Sequence, residues 1–234
     1  MAQRLVDLTQ EIYEGMVLWK GHPPTQIVVH ATHESTAGMF DPPYSFTAET
    51  ITLTTHAGTH TDSVSHVDPR PGAPSIEELP LEWFYTPAIC LDLSHLPPRT
   101  LYSVADIEAA LARHGLEIRQ GDTVLMHSGH YTRTRDTEAY ATEYSGLSRE
   151  AAELIYGRGA LNVGAEAPSI DVAGTTSYPA HLVCRELGRL NTENLADLSA
   201  VVGRRFRYIG LPLPIRRGSG SPVRAVAVLD DDTP

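Results

Sequence analysis

Three of the eleven histidines in this chain fall within one eleven-residue stretch, His56-Ala57-Gly58-Thr59-His60-Thr61-Asp62-Ser63-Val64-Ser65-His66, with an aspartate among them. Two imidazoles and a carboxylate converging on one point are the ligand set of a catalytic zinc, manganese or iron site. Such sites use three protein ligands and keep a position for water, whose pKa the metal lowers to about 7. A helix would put His56 and His60 on one face. However, Gly58 lies between them, and Thr54, Thr55, Thr59, Thr61 and Val64 are all β-branched. An extended segment entering a turn fits better. His60 and Asp62 then share a face, because strand side chains alternate. Gly58 lets the backbone bend so that His56 joins them, or lets it approach a ligand closely. The H-E-x-x-H pattern of zinc proteases is excluded, since Ala57 stands where the glutamate belongs, and Gly58 excludes a His-x-His run. The alternative for this segment is a set of hydrogen-bonded, inert loop histidines.

The elements that must position these residues alternate along the chain. Gln26 to His33 and Phe46 to Thr55 are rich in β-branched residues, and Thr50-Ile51-Thr52-Leu53-Thr54 alternates as a half-buried strand does. Pro23-Pro24, Asp41-Pro42-Pro43 and Asp68-Pro69-Arg70-Pro71-Gly72 mark loops. Ser103 precedes Val104, Ile107 and Leu111 at helical spacing, with Asp106 in the first turn and Gly115 beyond the end, which predicts a capped amphipathic helix. Val124-Leu125-Met126 reads as a short buried strand. Ser148 caps a second helix through Leu154 and Ile155 that stops near Gly157 and Gly159, and Pro179 opens a third, Ala180 to Leu187, closed by Gly188. Phe206 to Leu211 and Val223 to Leu229 read as apolar strands. Interleaved strands and helices without repeats or linkers predict one mixed α/β domain over residues 1–234.

Eighteen basic against 29 acidic side chains give a formal charge of −11. Phosphate backbones and anionic lipid would repel such a surface, so nucleic acid and membrane are excluded as expected partners. From Met1 to Asp7 charged residues arrive before any apolar run, and the longest apolar stretches, such as Ala225 to Leu229, are too short to span a bilayer. The two cysteines, Cys90 and Cys184, sit among apolar neighbours and form no close pair. Free thiols in a reducing cytoplasm are expected.

With its spacing written H-x-G-T-H-x-D-x-x-x-H, the segment 56–66 resembles the motif of the cyclase family of metal-dependent hydrolases. That family includes bacterial kynurenine formamidases, isatin hydrolases and some dienelactone hydrolases. The likeness covers most of the chain. It includes Val6-Asp7-Leu8-Thr9, Gly15 to Pro23, Asn162-Val163-Gly164-Ala165-Glu166-Ala167-Pro168-Ser169-Ile170-Asp171, Ala180-His181-Leu182, Glu193-Asn194-Leu195 and Gly220 to Ala225. The resemblance implies a swivelling β/β/α fold assembled as a homodimer or homotetramer. It implies that His56, His60 and Asp62 bind a first metal, zinc or manganese. In the binuclear formamidases the counterparts of Asp62, His181 and Glu193 hold a second, with the carboxylates shared. By the same likeness His66 is the proton donor and acceptor, and Trp19 lines the substrate pocket. Three departures bear on substrate and metal count. Val64 stands where the family has proline, Glu166 where it often has aspartate, and Trp19-Lys20-Gly21-His22 where it has an aromatic-Pro-Gly-Asp run.

Read without the resemblance, His181 is a first-turn histidine at the start of a helix, exposed to solvent or facing a cleft. Glu193 could be a first-turn glutamate favoured by a helix dipole, and Trp19 a core or loop aromatic. His127 and His130 follow an apolar strand and either contact substrate or are unrelated surface histidines. Arg133, Arg135 and the group Arg204 to Arg207 are solvated, paired with carboxylates, or include one clamp for a substrate carboxylate. The resulting expectation is hydrolysis of an amide, arylformamide or cyclic, in a small substrate, by metal-activated water with His66 carrying the proton. A lactone hydrolase, a cyclase or dehydratase of a biosynthetic pathway, and a metal-dependent binding protein are the alternatives.

Overall fold

Thr123–His127, the strand expected around Val124-Leu125-Met126, lies at the centre of a nine-stranded mixed sheet in the computed structural model of the chain. The structure describes residues 3–230. Met1 and Ala2 of the N-terminal reading and positions 231–234 of the expected domain lie outside the described residues. Across the sheet the strands run Gln3–Asp7, Val226–Asp230, Arg205–Ile209, Tyr85–Asp92, Thr123–His127, Asn162–Ala165, Leu190–Glu193, His60–Asp62 and Gly220–Pro222. The four from Tyr85–Asp92 to Leu190–Glu193 are mutually parallel, and the flanking pairs are antiparallel.

Parallel strands need crossovers, and their helices cover the sheet. Val104–Arg113 starts at a reciprocal cap in which Ser103 Oγ accepts from Asp106 N and the Asp106 carboxylate accepts from Ser103 N at 2.8 Å. It buries Ile107, Ala110 and Leu111 and leaves Val104 partly exposed. Arg149–Gly157 is capped by Ser148 Oγ, which accepts from Ala151 N at 3.1 Å. Pro179–Leu187 ends at Gly188, whose φ of +59° suits glycine. These helices pack Ile107, Ile155 and Val183 against Ile89, Val124 and Val163 on one face of the sheet. On the other face Leu8, Leu125, Leu195 and Leu198 form a second core with Phe206 and Tyr208. Cys90 and Cys184 are free and buried, one in each core. Among the described residues, no helix is long and apolar enough to cross a membrane.

One strand expectation is corrected. Gln26–Ala31 and Ala48–Thr52 are strands, but they pair only with each other, in a separate two-stranded sheet. Thr50 to Thr52 is therefore exposed rather than half-buried, with Ile51, Val28 and Val29 all more than half exposed. Alternation records strand geometry here, not a buried face.

Candidate metal centre

Sheet register assembles the site. His60 pairs with Glu193 across the antiparallel strands, so the two side chains leave the same face side by side. Asp62 follows two residues after His60 on that face, opposite Gly220. Gly220 matters because a Cβ there would stand 2.9 Å from the His56 ring and 3.3 Å from Asp62 Oδ1. Gly58, at φ +60°, turns the chain so that His56 comes back toward the same face.

The fourth side chain arrives on a helix. His181 occupies the first turn of Pro179–Leu187, where Tyr178 at the cap position offers no side-chain cap. Asp171 supplies it instead. One carboxylate oxygen accepts from Ala180 N at 2.7 Å, and the other accepts from His181 N at 3.2 Å and His181 Nδ1 at 2.5 Å. The His181 ring is thereby fixed with Nε2 toward the sheet, 3.3 Å from Glu193 Oε1 and 3.6 Å from Asp62 Oδ2. His60 is fixed likewise, with Nδ1 donating to Gly58 O at 2.9 Å and Nε2 lying 3.3 Å from Asp62 Oδ1 and 3.6 Å from Glu193 Oε2. Asn191, one turn of strand periodicity before Glu193, donates to Asp62 Oδ2 at 2.8 Å and to Glu193 Oε1 at 3.2 Å, holding the two carboxylates together.

These separations test whether a metal fits. Charge-assisted N–H···O bonds run about 2.7–2.9 Å, whereas two ligands each about 2.0 Å from a tetrahedral ion lie about 3.3 Å apart. The distances from His60 Nε2 and His181 Nε2 to Asp62 and Glu193 are nearer the second spacing. His60 Nε2 is buried without a hydrogen-bond partner, an arrangement that costs free energy unless something else binds the nitrogen. The residues present therefore fit a divalent ion. His56 and His66 complete a second potential triplet around Asp62. His56 Nδ1 is 2.7 Å from Asp62 Oδ1 and its Nε2 is 2.9 Å from Ser219 Oγ, and the partly exposed His66 has Nε2 3.7 Å from Asp62 Oδ2.

The electrostatics suit a cation. Burial alone would push the Asp62 carboxyl up, yet His66, His181, His56 and His60 together hold it well below the usual carboxylate range. Burial would push His60 and His181 down. The surrounding carboxylates outweigh it and raise both, His181 strongly through Asp171, Asp62 and Glu193. His66 goes the other way, lowered by burial and by the neighbouring His56 and His181. His22 is lowered by burial and the same histidine neighbourhood.

A cavity of about 390 Å³ opens on this cluster. Its outer wall is Trp19, His22, Val67, Pro168, Tyr178 and Leu182, so Trp19 stands at the pocket and not in the core. Every residue expected at the site from the sequence is thus beside this cavity or the carboxylates under it. Of the two readings for His181, the one facing a cleft holds, and the solvent-exposed one does not, since the residue is buried at the cavity. The reading of Glu193 as a first-turn glutamate is corrected, because it ends a strand, Leu190–Glu193, rather than opening a helix. His127 and His130 do not line the cavity, and His130 is no surface histidine. It is buried, with Nε2 2.9 Å from Tyr140 O, while His127 Nδ1 lies 3.0 Å from Glu166 Oε1. Of the arginines, Arg205 pairs with Asp122, Arg135 with Asp136, and Arg207 lies over the Tyr85 ring, all away from the cavity. Reasoning from spacing missed Asp171, Asn191 and His22. Asn191 was findable, since it shares the face of Glu193 by period two.

Comparison with known proteins places this arrangement. A kynurenine formamidase from Salinibacter ruber is 27% identical over 95% of this chain and 96% of its own. An isatin hydrolase bound to the product analogue thioisatinate superimposes with a TM-score of 0.87 at 23% identity, over 98% of this chain and 93% of that one. Isatin hydrolase A from Ralstonia solanacearum gives a TM-score of 0.86 at 26% identity, over 97% and 92%. The curled mixed sheet with its helices is the fold of those proteins. The model of the family described as "Putative cyclase" matches residues 6–172, well over half the chain, and the chain is a member of that cyclase family.

Proposed function

We propose that the chain is a metal-dependent hydrolase that cleaves the amide bond of a small arylformamide or cyclic amide. The observation that carries this is the set of four crossed distances, 3.3 to 3.6 Å, between His60 and His181 on one side and Asp62 and Glu193 on the other, at the floor of a cavity. The names of the related formamidase and isatin hydrolases support the bond type.

When bound by His60, Asp62, His181 and Glu193, with His56 beside them, the ion supplies Lewis acidity to a carbonyl and to water. The rest is done by side chains. Asp171 and the Gly58 carbonyl hold the two imidazoles in the tautomer that presents Nε2, and Asn191 keeps the carboxylates from swinging away. His66, half-open to the cavity and held toward neutrality, takes a proton from the attacking water. It returns that proton to the leaving nitrogen as the C–N bond breaks and the acyl carbon becomes a carboxylic acid. Trp19 and Tyr178 flank the aromatic part of the substrate.

One or two zinc or manganese ions per chain are supported by the triplet His60-Asp62-Glu193 and by His181 and His56 beside it, with His66 kept as the proton carrier. A homodimer or homotetramer is supported by the exposed Val28, Val29 and Ile51 of the outlying hairpin, and a cytoplasmic setting by the unpaired Cys90 and Cys184. The test is elemental analysis of the purified protein together with turnover of N-formylkynurenine, isatin and a dienelactone, with and without chelator. Product mass identifies the reaction, since hydrolysis adds water. A metal-free active enzyme, or products that have lost water, would overturn the proposal.

A further inference from the structure

Asn194, the residue after Glu193, holds a φ of +56°, a left-handed backbone that asparagine tolerates better than most side chains. Its N–H donates to Ala167 O at 2.8 Å, and its carbonyl accepts from Thr59 Oγ1 at 2.5 Å. The Thr59 hydroxyl accepts in turn from Gln10 N at 2.9 Å. The Asn194 side chain is held as firmly. Its Oδ1 accepts from the Tyr140 hydroxyl at 2.7 Å, and its Nδ2 stands 3.5 Å from His60 Nδ1, the nitrogen that donates to Gly58 O. Gln10 Nε2 donates to the same Tyr140 hydroxyl. His130 seats the tyrosine, with Nε2 donating to Tyr140 O at 2.9 Å and the ring centroids 5.4 Å apart. Gln10, Thr59, His60, His130, Tyr140 and Asn194 are all buried.

Asn194 thus ties the chain beside Glu193 to the chain beside His60, and its amide rests against the back edge of the His60 ring. Tyr140 sets the orientation of that amide. Gln10 supplies one donor to the hydroxyl, which leaves the hydroxyl proton for Asn194 Oδ1. Without the hydroxyl, Oδ1 would be a buried acceptor lacking its partner, a costly state. An amide turned half over would put Oδ1 against His60 Nδ1–H, in competition with Gly58 O. The ring would then be drawn from the one contact that aims Nε2 at Asp62 and Glu193.

We propose that Asn194, held by Tyr140, is a positioning residue of the metal centre, setting the His60 ring against Glu193 from behind. This rests on the metal-dependent reading above. It assigns His60 a support separate from Asp171, which holds His181, and from Asn191, which holds the carboxylates. It also gives buried His130 a place in the site, as the seat of Tyr140.

Two substitutions cut this support at different points. Tyr140→Phe removes the hydroxyl alone, and because Tyr140 and Gln10 border a second cavity, of about 220 Å³, water can reach Gln10 in its place. Asn194→Gly removes the amide and leaves the left-handed backbone free of strain. Competition between the metal-free protein and a chromogenic chelator reads zinc affinity. Each variant should bind zinc about tenfold more weakly, the low end of the range for partners behind a ligand. The double variant should lose no more than the weaker single one, since both changes break one connection. The visible absorption of the cobalt(II)-loaded protein, which reads ligand geometry, should shift from wild type in all three. Thermal unfolding reads stability separately. Variants that melt earlier but keep the wild-type zinc affinity and cobalt spectrum would overturn the inference, as would losses that multiply in the double variant. A wild-type chain that takes up neither zinc nor cobalt would overturn the metal-dependent reading and this inference with it. Wild-type uptake with unchanged variants would overturn this inference alone.

Discussion

Asp171→Asn tests whether the site is held from behind. The wild-type carboxylate accepts from three N–H groups, Ala180 N on one oxygen and both His181 N and His181 Nδ1 on the other. An amide of the same shape has one oxygen and one NH2, so it cannot accept all three. Keeping the oxygen toward His181 leaves the NH2 facing Ala180 N–H, a buried conflict costing about 1–3 kcal/mol of stability. Keeping it toward Ala180 releases the His181 ring. In either case the negative charge that makes His181 a better ligand is gone. Outer partners of ligating histidines contribute about 10–100-fold in metal affinity, which at 1.4 kcal/mol per tenfold is about 1.4–2.8 kcal/mol. Competition with a chromogenic chelator reads zinc affinity, and thermal unfolding reads stability. Asp171→Asn should weaken zinc binding by that factor, and Asp171→Ala by at least as much. A protein that unfolds earlier but binds zinc as tightly as wild type would show that Asp171 only caps the helix at Pro179. It would also remove His181 from the ligand set.

Four further outcomes follow from the same geometry. His60→Ala and Asp62→Ala should each abolish metal content and turnover, and a chelator should reproduce the loss in wild type, reversed by zinc or manganese; a chelator-resistant activity would contradict the site. His66→Ala should lower kcat by about 10²–10⁴-fold while metal content persists, and full activity would remove His66 from the mechanism. Gly220→Ala, whose new methyl would press on the His56 ring and Asp62 Oδ1, should weaken zinc binding several-fold while leaving far-ultraviolet circular dichroism unchanged; wild-type affinity would refute the close approach. Burial pushes His127 down, but the Glu166 hydrogen bond and charge outweigh it and raise the imidazole above its ordinary value. The stability that pairing contributes is present in full below about pH 6.5 and is lost as pH rises through the raised value. His127→Gln should therefore cost more stability at about pH 6 than at about pH 9 by urea unfolding, and an equal cost at both would contradict the shift.

What could be read from the sequence was what depends on near neighbours. The Ser103–Asp106 cap, the Ser148 cap, Pro179 and Gly188 each act within a few residues, and each marks a helix end in the structure. The pairing of His60 with Asp62 on one face needed only the period of a strand, and the turn at Gly58 only the freedom of glycine. What escaped depends on register between distant strands. Glu193 reaches the site because it lies opposite His60, and nothing in Asn191 to Leu195 announces that pairing. The exposed strand pair escaped for the converse reason, since Thr50 to Thr54 alternates like a half-buried strand although Thr50, Ile51 and Thr52 all stay exposed.

Glu166 shows the same division from the other side. Its departure from the family's frequent aspartate invites a catalytic explanation, but its carboxylate faces away from the cavity and into backbone. One oxygen accepts from Leu198 N at 2.9 Å and faces His127 Nδ1 at 3.0 Å, and the other accepts from Gly129 N at 2.6 Å, Ser128 N at 2.9 Å and Ser128 Oγ at 3.2 Å. A completely buried carboxylate is tolerable only with such a shell of donors. From the end of Asn162–Ala165 the glutamate side chain reaches both the loop at Ser128 and the turn at Leu198. Glu166 therefore ties these loops together through its hydrogen bonds rather than serving the reaction.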